Sequence, residues 1–244
     1  GMGGDINTGG LAEGEHTARP IGTPYASNGY WEYLPQHYGN GFDRPLLVFW
    51  AGVGENGNGS TEALQIIVER HGPPKMIATD QWPEEYPFIV LSPQHDAATD
   101  RPTPTEIYDF LAFAAQNYDV DPARIYITGL SSGARGFWAY LGEYAGEQVA
   151  AAVLIAADSS VAYDAGGCEV VEQVALWTFH GEFDSEVPVA DENEGMTNFA
   201  ACPQPRKEVV YTMYPGTGHQ DSWTKTYDGS AGHDVFGWLL SKSK

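Results

Sequence analysis

Positive charge is scarce in this chain, which has 12 lysines and arginines against 33 aspartates and glutamates in 244 residues. The formal net charge of −21 at pH 7 repels phosphate backbones and anionic lipid, which argues against binding to nucleic acid or to a membrane surface. Apolar runs long enough to cross a bilayer are also missing from the sequence. We therefore expect no transmembrane segment.

Cysteine is the second scarce residue type, with Cys168 and Cys202 alone. Either both are buried thiols, or they form one disulfide, as in an exported protein. The opening Gly-Met resembles a cloning remnant, and residues 3–20 are polar and glycine-rich, like a segment that follows a removed export signal. We expect residues 1–28 to be a flexible lead-in to an exported protein (periplasmic, lipoprotein-anchored or secreted), with a cytoplasmic location as the alternative.

Regularly spaced apolar segments are present along the rest of the chain. Seven of them predict β-strands, at residues 29–35, 44–52, 86–94, 123–129, 149–158, 174–181 and 206–216. Helical spacing of apolar residues is clearest at 60–72, 103–118, 132–146 and 233–242. This alternation predicts an α/β fold with a mostly parallel central sheet and helices on both faces. We expect one catalytic domain over 29–244, with its functional groups beyond the carboxyl ends of the strands.

Residues 129–133, Gly-Leu-Ser-Ser-Gly, match the pattern G-x-S-x-G. They lie between a predicted buried strand and a predicted helix, which is the setting of a nucleophile elbow. Side chains at Gly129 and Gly133 would crowd neighbouring backbone, and the sharp turn would lift Ser131 above the sheet as a nucleophile. The amide of Ser132, at the helix start, would donate to an oxyanion. The alternative is an ordinary glycine turn that packs a helix on a strand.

A serine nucleophile needs a histidine base, and the predicted base is His219. It follows a strand and a Pro-Gly turn, in the order serine, acid, histidine that α/β-hydrolases use. His180 ends a strand and is predicted to bond nearby backbone, whereas His233 begins the last helix as a cap or surface residue. His95 precedes the serine, so we expect it at most to line the site.

The acid that orients the histidine should follow a strand between Ser131 and His219. Asp184 meets both conditions and is the predicted acid. Asp158 follows the preceding strand and competes for this role, with a helix cap or loop as its alternative. The acidic run 190–195 lacks the spacing of a calcium loop, so it predicts a solvated helix face and no metal site.

Three blocks of the chain resemble the α/β-hydrolase esterases of the phospholipase/carboxylesterase and polyhydroxybutyrate-depolymerase-like group, which includes proteins labelled as peptidases. The blocks are DPARIYITGLSSGARGFWAY, FHGEFDSEVPV and YPGTGHQDSWTKTYDG. The resemblance covers about residues 29–242 and implies the α/β-hydrolase fold. It also implies a serine hydrolase that cleaves small-molecule or polymeric carboxylic esters with the triad Ser131, Asp184 and His219. No metal or organic cofactor is implied.

The oxyanion loop departs from the pattern of that group. Members usually carry His-Gly after the preceding strand, whereas this chain has Ala51-Gly52. The missing histidine braces the loop, but the second oxyanion donor would be a backbone amide, that of Val53, which a side-chain change leaves in place. Trp50 and Trp223 lie beside the predicted site residues in the sequence, and we expect both to line the substrate pocket.

Two other functions fit the same residues. A peptidase or a polyester depolymerase would use the same triad, and a non-catalytic binding domain would keep only the fold. Ala51 motivates the binding domain, because it replaces a residue that braces the oxyanion loop. Three triad members in the expected order favour a serine carboxylesterase, which we expect to be a monomer.

Overall fold

An eight-stranded sheet forms the centre of the computed structural model, which describes residues 14–244. The strands are β1 His16–Arg19, β2 Tyr30–Tyr33, β3 Arg44–Trp50, β4 Ile89–Pro93, β5 Val120–Leu130, β6 Ala151–Ile155, β7 Ala175–Gly181 and β8 Val209–Tyr214. Their order across the sheet is β1-β2-β4-β3-β5-β6-β7-β8. Every neighbouring pair from β4 to β8 is parallel, and β2 is antiparallel to both of its neighbours. The sheet is therefore mostly parallel, as the sequence predicts.

Helices cover both faces of this sheet. Within the described residues they are α1 Thr61–Arg70, α2 Gly72–Ala78, α3 Pro104–Asn117, α4 Ser131–Tyr144, α5 Ser160–Gly166, α6 Glu169–Gln173, α7 Val189–Ala200, α8 His219–Tyr227 and α9 Val235–Leu240. One apolar core lies between the sheet and α3, α4 and α7, and a second core lies between the opposite face and α2, α8 and α9. The predicted α/β fold class is confirmed.

Strand β3 shows why the central strands read as continuous apolar runs. Leu46, Val48 and Trp50 point to one core, whereas Leu47 and Phe49 point to the other, because successive side chains of a strand alternate between faces. Each of these side chains is buried, and burying one stabilises the fold by about 1.5–3 kcal/mol. The shared burial fixes the register of β3 against its neighbours.

The predicted flexible lead-in is wrong over its described part. Strand β1 pairs antiparallel with β2 from His16 opposite Tyr33 to Arg19 opposite Tyr30. Arg19 also makes a salt bridge of 3.1 Å with the buried carboxylate of Glu32 on β2. The sequence His-Thr-Ala-Arg gives no strand signal, because this edge strand is only half-buried and lacks an apolar run. The rest of the predicted lead-in, residues 1–13, lies outside the described residues.

The two cysteines form a disulfide, which is the second of the two interpretations left open by the sequence. Cys168 lies at the start of α6, and Cys202 follows the end of α7. The bond joins positions 34 residues apart. Among residues 14–244, no helix combines the length and the apolar character needed to span a bilayer.

Candidate active site

The corner at residues 129–133, called here the Ser131 corner, is built to a tight backbone tolerance. Ser131 opens α4 directly after β5 and has a φ of +48°, a backbone conformation that residues other than glycine rarely adopt. A Cβ atom at Gly129 would lie 2.7 Å from the carbonyl oxygen of Trp50. A Cβ atom at Gly133 would lie 2.3 Å from the carbonyl oxygens of both Trp50 and Ala51. Both glycines of the motif are therefore required by the approach of β3 to the corner.

The side chains of Ser131, His219 and Asp184 form a continuous hydrogen-bonded row. His219 opens α8, and Asp184 lies in the loop after β7. The Oγ of Ser131 is 2.9 Å from Nε2 of His219, and Nδ1 of His219 is 2.6 Å from Oδ2 of Asp184. A proton on Nδ1 donates to the carboxylate, which leaves Nε2 free to accept from the serine hydroxyl. The structure thus brings together the three residues predicted as nucleophile, base and acid.

Asp184 is held as a carboxylate by its surroundings. Its second oxygen, Oδ1, accepts hydrogen bonds from the backbone amides of Glu186 at 2.9 Å and Val187 at 2.8 Å. Burial opposes ionisation, but the hydrogen bonds from His219, Val187 and Glu186 outweigh it, so the pKa of Asp184 lies below its ordinary value. The carboxylate is therefore charged at neutral pH and fixes the orientation of the imidazole.

The competing residues make other hydrogen bonds, although Nε2 of His180 also lies 3.3 Å from Oδ2 of Asp184. Oδ1 of Asp158 accepts from the backbone amide of Ser160 at 2.9 Å and from its hydroxyl at 2.5 Å, so this carboxylate caps the turn before α5. Nε2 of His180 donates to the carbonyl oxygen of Val187 at 2.8 Å, and burial lowers the pKa of His180. A neutral His180 thus holds the loop of Asp184 from below, which agrees with its predicted bond to nearby backbone.

Two elements that begin near the serine carry the backbone amides predicted as oxyanion donors, those of Ser132 and Val53. Ser132 is the second residue of α4, and the first amides of a helix have no partner within it. Val53 opens a 3₁₀ turn, Val53–Glu55, directly after Gly52 and lines one cavity with Ser131. The exposed side chain of Val53 is apolar and has no hydrogen-bond donor. The donor that this residue can offer to a ligand is therefore its backbone amide.

Glu55 is a site residue that the sequence analysis missed. Its carboxylate is buried and lies close to the backbone of Gly52. Nε2 of His71 lies 3.5 Å from Oε1 of Glu55. Burial raises the pKa of Glu55, against the charge of Arg70. Glu55 therefore supports the turn in which the group that the sequence resembles is expected to have a histidine and this chain has Ala51. In the sequence, the only signal for Glu55 is a lone glutamate in a glycine-rich loop.

Trp223 lies beside the catalytic candidates, as expected. Its ring centroid is 4.9 Å from that of His219 and 5.4 Å from that of His71, both in edge-to-face geometry. Trp223 also lines the cavity of about 210 Å³ that contains Ser131. The position follows from the helix, because residues four apart, His219 and Trp223, share one face of α8.

The prediction that Trp50 lines the pocket is wrong. Only 1% of its surface is exposed, and its ring packs edge-to-face against Phe110 and Phe137 in the core under α3 and α4. The reason is the alternation of β3, which directs Trp50 into the same core as Leu46 and Val48. Trp50 reaches the site only through its carbonyl oxygen, which contacts the Ser131 corner.

Comparison with protein-family models gives no match for this chain, and comparison with curated proteins gives none either. Solved structures do match. A thermostable esterase has a TM-score of 0.69 and 25% identity, with 94% of this chain and 63% of that protein covered, so this chain spans less than two thirds of its length. An acetyl xylan esterase from Aspergillus awamori has a TM-score of 0.61 and 15% identity, with 88% of this chain and 99% of that one covered.

A thermophilic esterase from the planctomycete Thermogutta terrifontis also matches, with a TM-score of 0.59, 12% identity and coverage of 93% of this chain and 89% of that one. The chain has the α/β-hydrolase fold. This is the fold that the resemblance of its three sequence blocks implies, and the three solved structures named here are those of esterases.

Proposed function

We propose that this protein is a serine hydrolase that cleaves carboxylic esters through an acyl-enzyme on Ser131. The observation that carries the proposal is the row of two hydrogen bonds from Ser131 to His219 and from His219 to Asp184. A serine hydroxyl is a weak nucleophile until a base is positioned to take its proton. The likeness to solved esterases supports an ester as the substrate.

The proposed reaction has two halves. In the first, Nε2 of His219 takes the hydroxyl proton while the Oγ of Ser131 attacks the ester carbonyl, and Asp184 stabilises the imidazolium that forms. The amides of Ser132 and Val53 donate to the oxyanion of the tetrahedral intermediate. The imidazolium then protonates the departing alkoxide. In the second half, His219 deprotonates water, which attacks the acyl-enzyme and releases the acid and the free serine.

Export is part of the proposal. The disulfide between Cys168 and Cys202 supports an oxidising compartment, since disulfides are rare in proteins that stay in a reducing cytosol. Secretion of the protein into the medium or periplasm of its native host would be checked by fractionation with an antibody against the folded chain.

The test combines one substrate and one probe. Ser131→Ala should abolish turnover of 4-nitrophenyl butyrate and labelling by a fluorophosphonate, whereas Ser132→Ala keeps its backbone amide and should keep both. Turnover by Ser131→Ala equal to that of the wild type would overturn the assignment. A wild-type protein that neither turns over the ester nor takes the label would favour a binding domain, and cleavage of peptides but not esters would favour a peptidase.

A further inference from the structure

The few cations of this chain are almost all engaged by the protein itself. Nine of the twelve make a hydrogen bond or an ion pair within residues 14–244: Arg19, Arg44, Arg101, Arg124, Arg206, Lys207, Lys225, Lys242 and Lys244. Arg70, Lys75 and Arg135 have no such partner in the described part of the chain. Two of these three, Arg70 and Lys75, line cavities at the candidate active site.

Two cavities meet beside the proposed nucleophile. The first, of about 210 Å³, contains Ser131, and the second, of about 220 Å³, contains Lys75. Arg70, His71 and Trp223 line both of them. The second cavity is therefore a continuation of the first beyond Trp223. Arg70 lies at the junction, and Lys75 lines the second cavity only.

The carboxylates that line these cavities already have partners. Oε1 of Glu55 is 3.5 Å from His71, and Oε2 of Glu186 is 3.3 Å from His219. Oδ1 of Asp228 accepts from the backbone amide of Ser230 at 2.8 Å. Among the charged side chains that line the cleft, Arg70 and Lys75 are thus the two that make no hydrogen bond or ion pair within residues 14–244, in a protein whose net charge is −21.

The pKa of His71 responds to both cations, which therefore lie in one region around this side chain. Burial lowers the pKa of His71, and the charges of Lys75 and Arg70 lower it further. His71 therefore stays neutral and adds no charge of its own at neutral pH. Glu186, an exposed carboxylate beside His219, makes the other end of the cleft unfavourable for an anion.

From this distribution we propose that the cleft takes esters that carry a carboxylate, with Arg70 and Lys75 binding it in the cavity beyond Trp223. The proposal rests on the proposed function and names its substrate class. An arginine guanidinium binds a carboxylate through two parallel N–H donors, and a lysine adds a point charge. The remote carboxylate would orient the ester across Ser131 and away from Glu186.

The test uses pairs of esters that differ only in the remote group. For a charge on the acyl side, mono-4-nitrophenyl adipate is compared with its neutral carboxamide analogue. For a charge on the alcohol side, 3-carboxyphenyl butyrate is compared with 3-carbamoylphenyl butyrate. In one of the two pairs, the wild type should prefer the charged ester in kcat/KM, and Arg70→Gln with Lys75→Gln should lower that preference about 10-fold, mainly through KM.

Lys207→Gln is the matched control, because it removes the same charge two residues before β8, where the ammonium group of Lys207 donates to the carbonyl oxygen of Ser243. It should leave the preference unchanged. Equal kcat/KM for charged and neutral esters in both pairs would overturn the proposal, and so would an equal loss in the Arg70, Lys75 and Lys207 variants. Either result leaves the esterase assignment intact, whereas a wild type that hydrolyses none of the four esters would count against that assignment itself.

Discussion

The Ser131 corner and the turn at residues 52–55, called here the Val53 turn, face the same cavity but are held in different ways. The corner is fixed by backbone contact, with glycines where β3 approaches and a φ of +48° at the serine. The Val53 turn instead carries a buried side chain, the carboxylate of Glu55, which lies against the backbone of Gly52 and 3.5 Å from His71.

The two walls of the cavity therefore tolerate substitution at different positions. A wall held by backbone contact has no room for a larger residue at the points of contact. Residues outside those points can vary. A wall that contains one buried carboxylate tolerates substitution of its other side chains, which is consistent with Ala51 at the position where the group that the sequence resembles is expected to have a histidine. Each prediction below targets one kind of support.

Loss of the acid should have the largest effect. Asp184→Asn removes the charge that holds His219 and should lower kcat about 10³- to 10⁴-fold, measured with 4-nitrophenyl butyrate. Asp158→Asn, which changes a carboxylate bound only to Ser160 in the described structure, should cost less than about 3-fold. A larger loss in Asp158→Asn than in Asp184→Asn would move the acid to the other loop.

A methyl group in the Ser131 corner should have the next largest effect. Gly133→Ala places a Cβ atom 2.3 Å from two backbone carbonyl oxygens, so the corner must shift, at a cost of about 1–3 kcal/mol in stability and about 100-fold in kcat/KM. Gly54→Ala in the Val53 turn meets no atom within 4 Å and should be nearly neutral. Thermal unfolding and ester turnover of both variants test the contrast, which disappears if Gly54→Ala is the more damaging.

Removal of the carboxylate in the Val53 turn should have an intermediate effect. Glu55→Ala removes the carboxylate beside Gly52 and should lower kcat about 10-fold with little change in KM, because only the oxyanion donor loses its position. Glu55→Gln keeps an acceptor and should recover part of the loss. The rate of fluorophosphonate labelling should fall in the same order, and equal labelling of all three proteins would show that Glu55 does not support the oxyanion side.

The loop between β6 and α5 is also held by a buried carboxylate, and its expected effect is on stability and its pH dependence. Glu192 on α7 accepts from the amide of Ser159 at 2.7 Å. Burial raises the pKa of Glu192 from 4.5 to about 8, although the hydrogen bond from the amide of Ser159 favours its charged form. Between these values the folded protein keeps a proton that the unfolded chain has lost, so the free energy of unfolding falls as pH rises.

Glu192→Gln has no such proton to lose. Its stability relative to the wild type should therefore improve between pH 5 and pH 8, by up to about 1.4 kcal/mol per pH unit. Urea unfolding of both proteins at the two pH values measures the change. A constant difference would mean that Glu192 titrates alike in the folded and unfolded chain.

Most of the fold could be predicted from the sequence, because the central strands are buried on both faces and appear as continuous apolar runs. The half-buried strand β1 could not, since His16–Arg19 has neither an apolar run nor alternation. The acidic run 190–195 was predicted to be a solvated helix face, yet Glu192 is buried. Composition alone does not indicate which member of an acidic helix faces the sheet.

The residues of the candidate site likewise fall into those that the sequence indicates and those that it does not. Ser131, Asp184 and His219 could be found because each follows a strand, and parallel strands end at one edge of the sheet. Side-chain direction was harder to predict. Trp223 shares a helix face with His219, whereas Trp50 sits in a strand, where proximity in sequence says nothing about the face. The contact between Glu55 and His71 joins residues 16 positions apart, and no spacing rule predicts it.

The disulfide divides the catalytic candidates into two groups by chain connectivity. The covalent ring that it closes runs from Cys168 to Cys202 and contains Asp184, while Ser131 and His219 lie outside it. A cross-link restricts the chain it encloses even when that chain unfolds, so the acid is tethered in a way that the nucleophile and the base are not. In the unfolded chain, reduction therefore frees the segment that carries Asp184, whereas Ser131 and His219 gain no freedom from it.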